Sequence, residues 1–383
     1  MAQKLRTILY SRHKLLGAAM TDFAGWEMPL YYSGITEEHC HTRSKVGLFD
    51  LSHMGRFIIR GSAFREFLDW VTPAPIALAQ AGKVLYSFFL NERGGVIDDI
   101  TIYMGTDCAM LVVNAANRQK DYLWLMQRAA EFTGVEIEDH SERLAMIAVQ
   151  GPLADRAMEY LFGSAFCSCA YYSFQELAVS QLPVPLGPME SSTNESLVLI
   201  YSATGYTGEL GYEIYAHAAV IEALWDKLIA NATDLELKPI GLGARDSLRL
   251  EAAMPLYGHE LTDEILPLEA GLSRFVDFSK PTSFIGREAL ETQREQGVSR
   301  KLVGLEMSGR GAIPRHGCAV KNSANEIIGT VTSGGYSPTL EKNIALAYVA
   351  TSHTAPGTSL QVEIRGRLWP ATVVKKPFYK RSR

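Results

Sequence analysis

The residues Gly94-Gly95-Val96-Ile97-Asp98-Asp99-Ile100 set two carboxylates side by side inside an otherwise apolar run. Neighbouring side chains on a strand point to opposite faces. Asp98 then shares a face with Val96, Ile100 and Ile102, and Asp99 shares one with Ile97, Thr101 and Tyr103. The second column joins a carboxylate, a hydroxyl and a phenol, a set suited to a polar ligand. The commoner role of such aspartates is to cap a turn, here after Gly94-Gly95. Tyr86, Asn114, Tyr206 and Glu213 are further polar or aromatic residues in strand-like segments, and Arg245 stands near the start of a helix. A tyrosine in a strand is more often half-buried core with its hydroxyl satisfied, so no one of these residues alone defines a site.

The elements that must position them follow from patterning. EEHCHTRSKVG (37–47) reads as a helix with Thr36 as N-cap and Gly47 as its stop. Strand character runs through Arg56 to Arg60, SAFREFLDWV is a short amphipathic helix, and LYSFFLN is a strand. GGVIDDITIYM and CAMLVVN pair around the turn Gly105-Thr106-Asp107. Asn117 opens a helix with an apolar stripe through Leu123, Met126 and Ala130. The strands VEIED and LAMIAVQ, the helix LADRAMEYLF, the strands LVLIYSAT and GYEIYAH, and the helices VIEALWDKLIAN and GARDSLRLEAAM complete an α+β region. The Pro- and Ser-rich stretch Leu182–Ser196 reads as a long exposed loop, and the charged helix REALETQREQG as a surface connector. From Lys301 onward, closely spaced short strands give an all-β sandwich or barrel pattern.

The 383 residues suggest two or three domains, and 47% hydrophobic with 21% charged residues is ordinary for a soluble globular protein. A net charge of -5 argues against general nucleic-acid binding, which needs a basic surface. No apolar run reaches the roughly 20 residues that cross a bilayer. Five scattered cysteines suit a reducing cytoplasm, and the pair Cys167-Ser168-Cys169 lacks the second pair of a metal site. His39, His41, His53 and Cys40 are ligand types, yet on a helix His39 and His41 do not face each other. Phosphate-loop, dinucleotide, serine-elbow and zinc-protease fingerprints are missing.

The ordered runs DFAGWEMPLYY, GLFDLSHMG, GGVIDDITIY, VVNAAN, GYTGELGYEIY and GLGARDSLRLEAAMPLYGHEL, continuing through FIGREAL, VTSGGYSPTL and VVKKPF, resemble the T-protein family of the glycine cleavage system from Leu9 to about Phe378. The resemblance implies a three-lobed cloverleaf with mixed α/β folate-binding lobes, a folate in a central channel and a C-terminal all-β barrel. It implies a folate-binding region of two interleaved lobes over 1–278 and a barrel domain over 279–383. It makes Asp99 the catalytic carboxylate and leaves Asp98 to anchor the turn. Glu213 becomes the acidic contact to the pterin, whose adjacent amide N–H and amino group suit a bidentate carboxylate. Arg245 becomes a substrate contact, and Tyr86, Tyr206, Asn114, Met54 and Tyr103 line the channel.

The implied reaction takes an aminomethyl group from the lipoyl arm of H-protein. Folate N5 attacks the methylene carbon, ammonia leaves, 5,10-methylenetetrahydrofolate forms and the arm departs as dihydrolipoyl. Tetrahydrofolate is then a co-substrate, no metal is required, and the implied partners are lipoylated H-protein with the P-protein and L-protein of the same system. A cytoplasmic monomer that binds neither nucleic acid nor membrane is expected. Two other readings share the fold: a folate-dependent demethylase of a methylated small molecule, and a folate-binding iron–sulfur assembly factor. The latter carries K-G-C-Y-x-G-Q-E, where this chain has Thr204-Gly205-Tyr206-Thr207-Gly208-Glu209 without cysteine. Departures from the family are the length of the 182–196 loop, the polar Arg274 and Asp277, and a poorly aligned tail in which Tyr379 is a candidate for a terminal tyrosine.

Overall fold

Alternation along Leu144–Gln150 and Gly211–His217 builds the middle of a six-stranded sheet. Its order is Phe174–Ala178, Val198–Ser202, Gly211–His217, Leu144–Gln150, Val46–Asp50, Leu237–Pro239. Every pair is antiparallel except the last. On one face, Ile147, Val149, Tyr212 and Ile214 pack under the helices Ala154–Phe162 and Ala218–Ala230. The first helix buries Ala154, Ala157, Met158, Leu161 and Phe162, the spacing of a single helical face. Glu213 and Tyr215, two apart on their strand, are left on the opposite face.

The computed structural model describes residues 4–182, 198–309, 311 and 313–381. The loop expected at Leu182–Ser196 lies, from residue 183 on, outside the described residues. Two compact units divide the chain: Met1–Phe64, Ala79–Leu85 and Thr101–Arg245 form the first, and Arg65–Leu78, Tyr86–Ile100 and Asp246–Arg383 the second. The six-stranded sheet lies in the first. A five-stranded sheet has the order Lys83–Leu90, Val96–Met104, Cys108–Val113, Gly55–Arg60, Glu136–Asp139. Its first two strands change unit along their length, so the Asp99 end of Val96–Met104 belongs to the second unit and the Tyr103 end to the first.

The second unit holds a closed six-stranded barrel: Arg300–Met307, Lys342–Ala350, Ile327–Ser337, Ala319–Lys321, Ser359–Ile364 and Arg367–Val374. Alternate residues fill it, with Val303, Leu305, Ala345, Ala347, Val362 and Val373 among them. Closure removes the free edges that a sandwich would expose, and the open choice between sandwich and barrel resolves to a barrel.

Several local expectations change. The first long helix is Ile35–Ser44, with Gly34 as its N-cap and no side-chain cap, so Thr36 does not serve. The entry is held instead by the buried carboxylate of Glu38, which accepts the backbone N–H of Tyr32 at 2.5 Å, Ser33 at 2.9 Å and Gly34 at 3.3 Å. Gly47 does not stop the helix but sits in the strand Val46–Asp50, where a Cβ would meet Thr42 Oγ1 at 2.6 Å. Asn117 does precede the helix Arg118–Ala129, but Leu123, Met126 and Ala130 face solvent. Asp121 and Leu125 are the buried positions, and Tyr122 packs on Phe57 at 5.6 Å. In so polar a helix the partner surface decides which face turns inward. The helix Tyr10–Leu15 and the hairpin of Ala19–Phe23 with Trp26–Tyr31 had no counterpart in the sequence reading.

Candidate active site

In the first unit, Glu213 is 8% exposed, and its Oε2 is approached by three hydroxyls. Thr204 Oγ1 donates at 2.5 Å, Tyr215 OH at 3.1 Å and Tyr103 OH at 3.3 Å. Ser202 joins the cluster through Thr204 at 2.6 Å and Tyr103 at 3.0 Å. The two phenols lie 2.8 Å apart. Burial, and then the charge of Glu213, push both phenols well above their ordinary pKa, so they persist as donors. With Oε2 crowded by donors, Oε1 is held in direction and is the freer acceptor. A two-point fork to a ligand would require a hydroxyl to give up Oε2. Tyr215, Ser202 and Thr204 were not singled out in the sequence. The signal that could have found Tyr215 was its period-two spacing from Glu213 in GYEIY.

Tyr206 and Arg245 also come together in the first unit, the guanidinium standing 4.6 Å from the ring centroid. Both are half-buried, a setting in which cation–π contact holds the arginine planar and oriented. Arg245 reaches this point because it stands in the helix Leu242–Glu251. Asn114 directly follows the strand Cys108–Val113, and its carbonyl accepts Asn117 N–H at 2.9 Å. Met54 is half-buried in a tight turn, its N–H on the carbonyl of Leu51 at 3.0 Å. Glu209, in the same glycine-rich run as Tyr206, is taken by Arg43 in a buried ion pair of 2.8 Å.

In the second unit, Tyr86 OH donates to Asp99 Oδ2 at 2.9 Å. The Tyr86 ring packs against Phe275 at 4.7 Å and Phe88 at 5.3 Å. Asp98 is wholly buried and Asp99 half-buried, so the adjacent carboxylates differ in environment as strand alternation requires. In the preceding turn, the Asn91 side chain ties the backbone. Its Oδ1 accepts Arg93 N–H at 2.9 Å and Gly95 N–H at 3.0 Å, and its Nδ2 donates to the Asp263 carbonyl at 2.8 Å. Gly95 is required there, since a Cβ would stand 1.9 Å from that carbonyl. Of the departures, Arg274 lies over Phe275 at 4.6 Å, and Asp277 accepts the N–H and hydroxyl of Ser279. Tyr379 is tied through its N–H to the Glu251 carbonyl at 2.9 Å.

The mixed sheets and closed barrel agree with what similarity shows. A family model described as the GCVT N-terminal domain matches residues 9–280, and the glycine cleavage T-protein C-terminal barrel domain matches 300–380. The chain belongs to the glycine cleavage T-protein family.

Aminomethyltransferases are its curated relatives. One from Symbiobacterium thermophilum is 44% identical over 98% of this chain and 97% of its own length. One from Geobacillus thermodenitrificans is 43% identical over 99% of both. The crystal structure of glycine cleavage system aminomethyltransferase T from Bartonella henselae superposes with a TM-score of 0.87 at 33% identity, covering 98% of each chain. The chain is accordingly a transferase, and its activity is aminomethyl transfer in glycine cleavage. The demethylase and assembly-factor readings are not favoured. Among the described residues no helix is long and apolar enough to cross a membrane.

Proposed function

We propose that the enzyme moves the methylene of an aminomethyl group from the lipoyl arm of H-protein to tetrahydrofolate, releasing ammonia. The observation that carries this reading is the buried Glu213 carboxylate, oriented by three hydroxyls so that Oε1 can take a donor from a pterin edge. Asp99 is the catalytic carboxylate. With its charge beside the reacting nitrogens it stabilises the iminium character that develops as ammonia leaves, and it accepts a proton. Tyr86 orients Asp99 through their hydrogen bond. Arg245 contacts substrate from its seat on Tyr206, and Asn114, Met54 and Tyr103 line the folate site. Juxtaposing nucleophile and carrier arm supplies much of the remaining acceleration. We assign the folate-binding region to residues 1–278 and the barrel domain to 279–383, a division that the two matched spans support.

The test is direct. The protein is mixed with lipoylated H-protein carrying the aminomethyl group and with tetrahydrofolate, and ammonia and 5,10-methylenetetrahydrofolate are assayed. Both should appear in equal amounts and only with folate present. Ammonia release at the same rate without tetrahydrofolate would overturn the reading.

A further inference from the structure

Gln150 is the last residue of the strand Leu144–Gln150. It pairs with Gly211 across the sheet and therefore shares a face with Glu213, two residues further along that neighbouring strand. The residue is 1% exposed. Burying an amide is costly unless both of its ends are paired, and here both are. Nε2 donates to the Thr204 carbonyl at 3.1 Å, and Oε1 accepts the Thr207 hydroxyl at 2.8 Å. One side chain thus grips both ends of the turn Thr204-Gly205-Tyr206-Thr207.

The chain leaves room for that grip. A Cβ at Gly205 would stand 2.1 Å from Oε1 of Gln150, and one at Gly211 would stand 2.3 Å from Nε2. Neither glycine has a positive φ, so the space filled by Gln150 is what requires them. Beyond the turn the chain is fastened again. Glu209 N–H donates to the Thr207 hydroxyl at 3.2 Å, Arg43 donates to the Thr207 carbonyl at 2.7 Å, and Gly151 N–H donates to the Leu210 carbonyl at 2.7 Å. The fixed turn carries supports for two groups of the proposed folate site. Thr204 Oγ1 holds Oε2 of Glu213, and the Tyr206 ring seats the Arg245 guanidinium. All of these residues lie in the first unit.

We propose that Gln150 is a positioning residue for tetrahydrofolate binding: it fixes the turn from which Thr204 holds Glu213 and Tyr206 seats Arg245. This rests on the folate reading above. Binding groups whose supports are already fixed meet their ligand without a further ordering cost.

The test is titration calorimetry of the full chain with tetrahydrofolate, with urea midpoints on the same samples to establish that each variant is folded. Gln150→Leu keeps the bulk and removes both hydrogen bonds, and should raise the Kd at least about tenfold. Gln150→Glu keeps the shape, but only its protonated form can donate to the Thr204 carbonyl while accepting from Thr207. Burial raises the pKa of such a carboxyl, so the affinity of Gln150→Glu should climb toward that of the wild type as pH falls from about 8 to about 6. If Gln150→Leu does not fold, Thr207→Val decides. It frees one end of the turn with Gln150 still in its seat, and should weaken binding about threefold or more. Wild-type affinity in folded Gln150→Leu, or in Thr207→Val where that variant decides, overturns the role of Gln150 and leaves the folate reading intact. A Gln150→Glu affinity in constant ratio to the wild type across that pH range does the same. Absence of any tetrahydrofolate binding by the wild type overturns both.

Discussion

The adjacent aspartates show how far environment separates like residues. Asp99→Asn should keep the fold and most folate affinity while lowering turnover by roughly 10²-fold or more, the scale of a lost acid–base or charge-stabilising group. Asp98→Asn alters a wholly buried group and should lower the urea midpoint with a smaller effect on turnover. The reverse pattern in single-turnover rates would sink the assignment of Asp99. For Glu213→Gln, one acceptor oxygen becomes a donor amid converging hydroxyls. Tetrahydrofolate binding should weaken by about 2 kcal/mol or more, read by titration calorimetry. Unchanged affinity would mean that Glu213 serves only the hydroxyl cluster of Tyr103, Tyr215 and Thr204.

At the scale of elements, a single buried carboxylate does what a conventional cap would do. Glu38 satisfies three backbone N–H groups at the entry to the helix Ile35–Ser44, and through its other oxygen that of Gly241 at 2.8 Å. Glu38→Leu should therefore cost on the order of 3 kcal/mol, because buried donors lose their acceptor. Thr36→Ala should lie within about 0.5 kcal/mol of wild type, as an exposed position that caps nothing. Equal urea midpoints for the two variants would refute this account of the helix start.

For the whole molecule, buried titration sets the response to acid. The folded-state value for His53 of about 3 lies below the ordinary histidine value of about 6.5, so the unfolded chain takes up this proton first. Its contribution is complete above about pH 6.5 and falls by up to about 1.4 kcal/mol per pH unit on the way down toward 3. Asp50, held at about 2 chiefly by His13 and Thr7 against the opposing cost of burial, adds a second loss between about pH 4 and 2. Denaturation midpoints should decline from near neutrality downward, and His53→Phe should flatten the curve between pH 6 and 4. Parallel curves for mutant and wild type would show that His53 is not buried neutral. Under the proposed function, a carrier arm must dock near its target to reach a high effective concentration. Lipoylated H-protein should outperform free aminomethyl-lipoate, and the advantage should shrink with salt as charge-steered docking is screened.

Much of the fold was legible because local chemistry and tertiary need agreed. The short apolar run LAMIAVQ has the length of a strand buried on both faces, the barrel segments alternate, and Ala154–Phe162 presents one apolar face only as a helix. The family motifs carried the class of enzyme, and alternation alone separated Asp98 from Asp99. Other features depended on partners distant in the chain. The Glu38 carboxylate that holds the helix start is also bound by Gly241, 203 residues away. The face of Arg118–Ala129 depends on Phe57, and the pinning of Oε2 of Glu213 depends on hydroxyls from two strands and from Thr204, just past a third. His53 was read only as a possible metal ligand, since nothing local says that a histidine will be buried without a partner. Sequence patterns report what a residue prefers over a few neighbours, whereas orientation and protonation at a site are set by whichever groups the packed chain brings within about 4 Å.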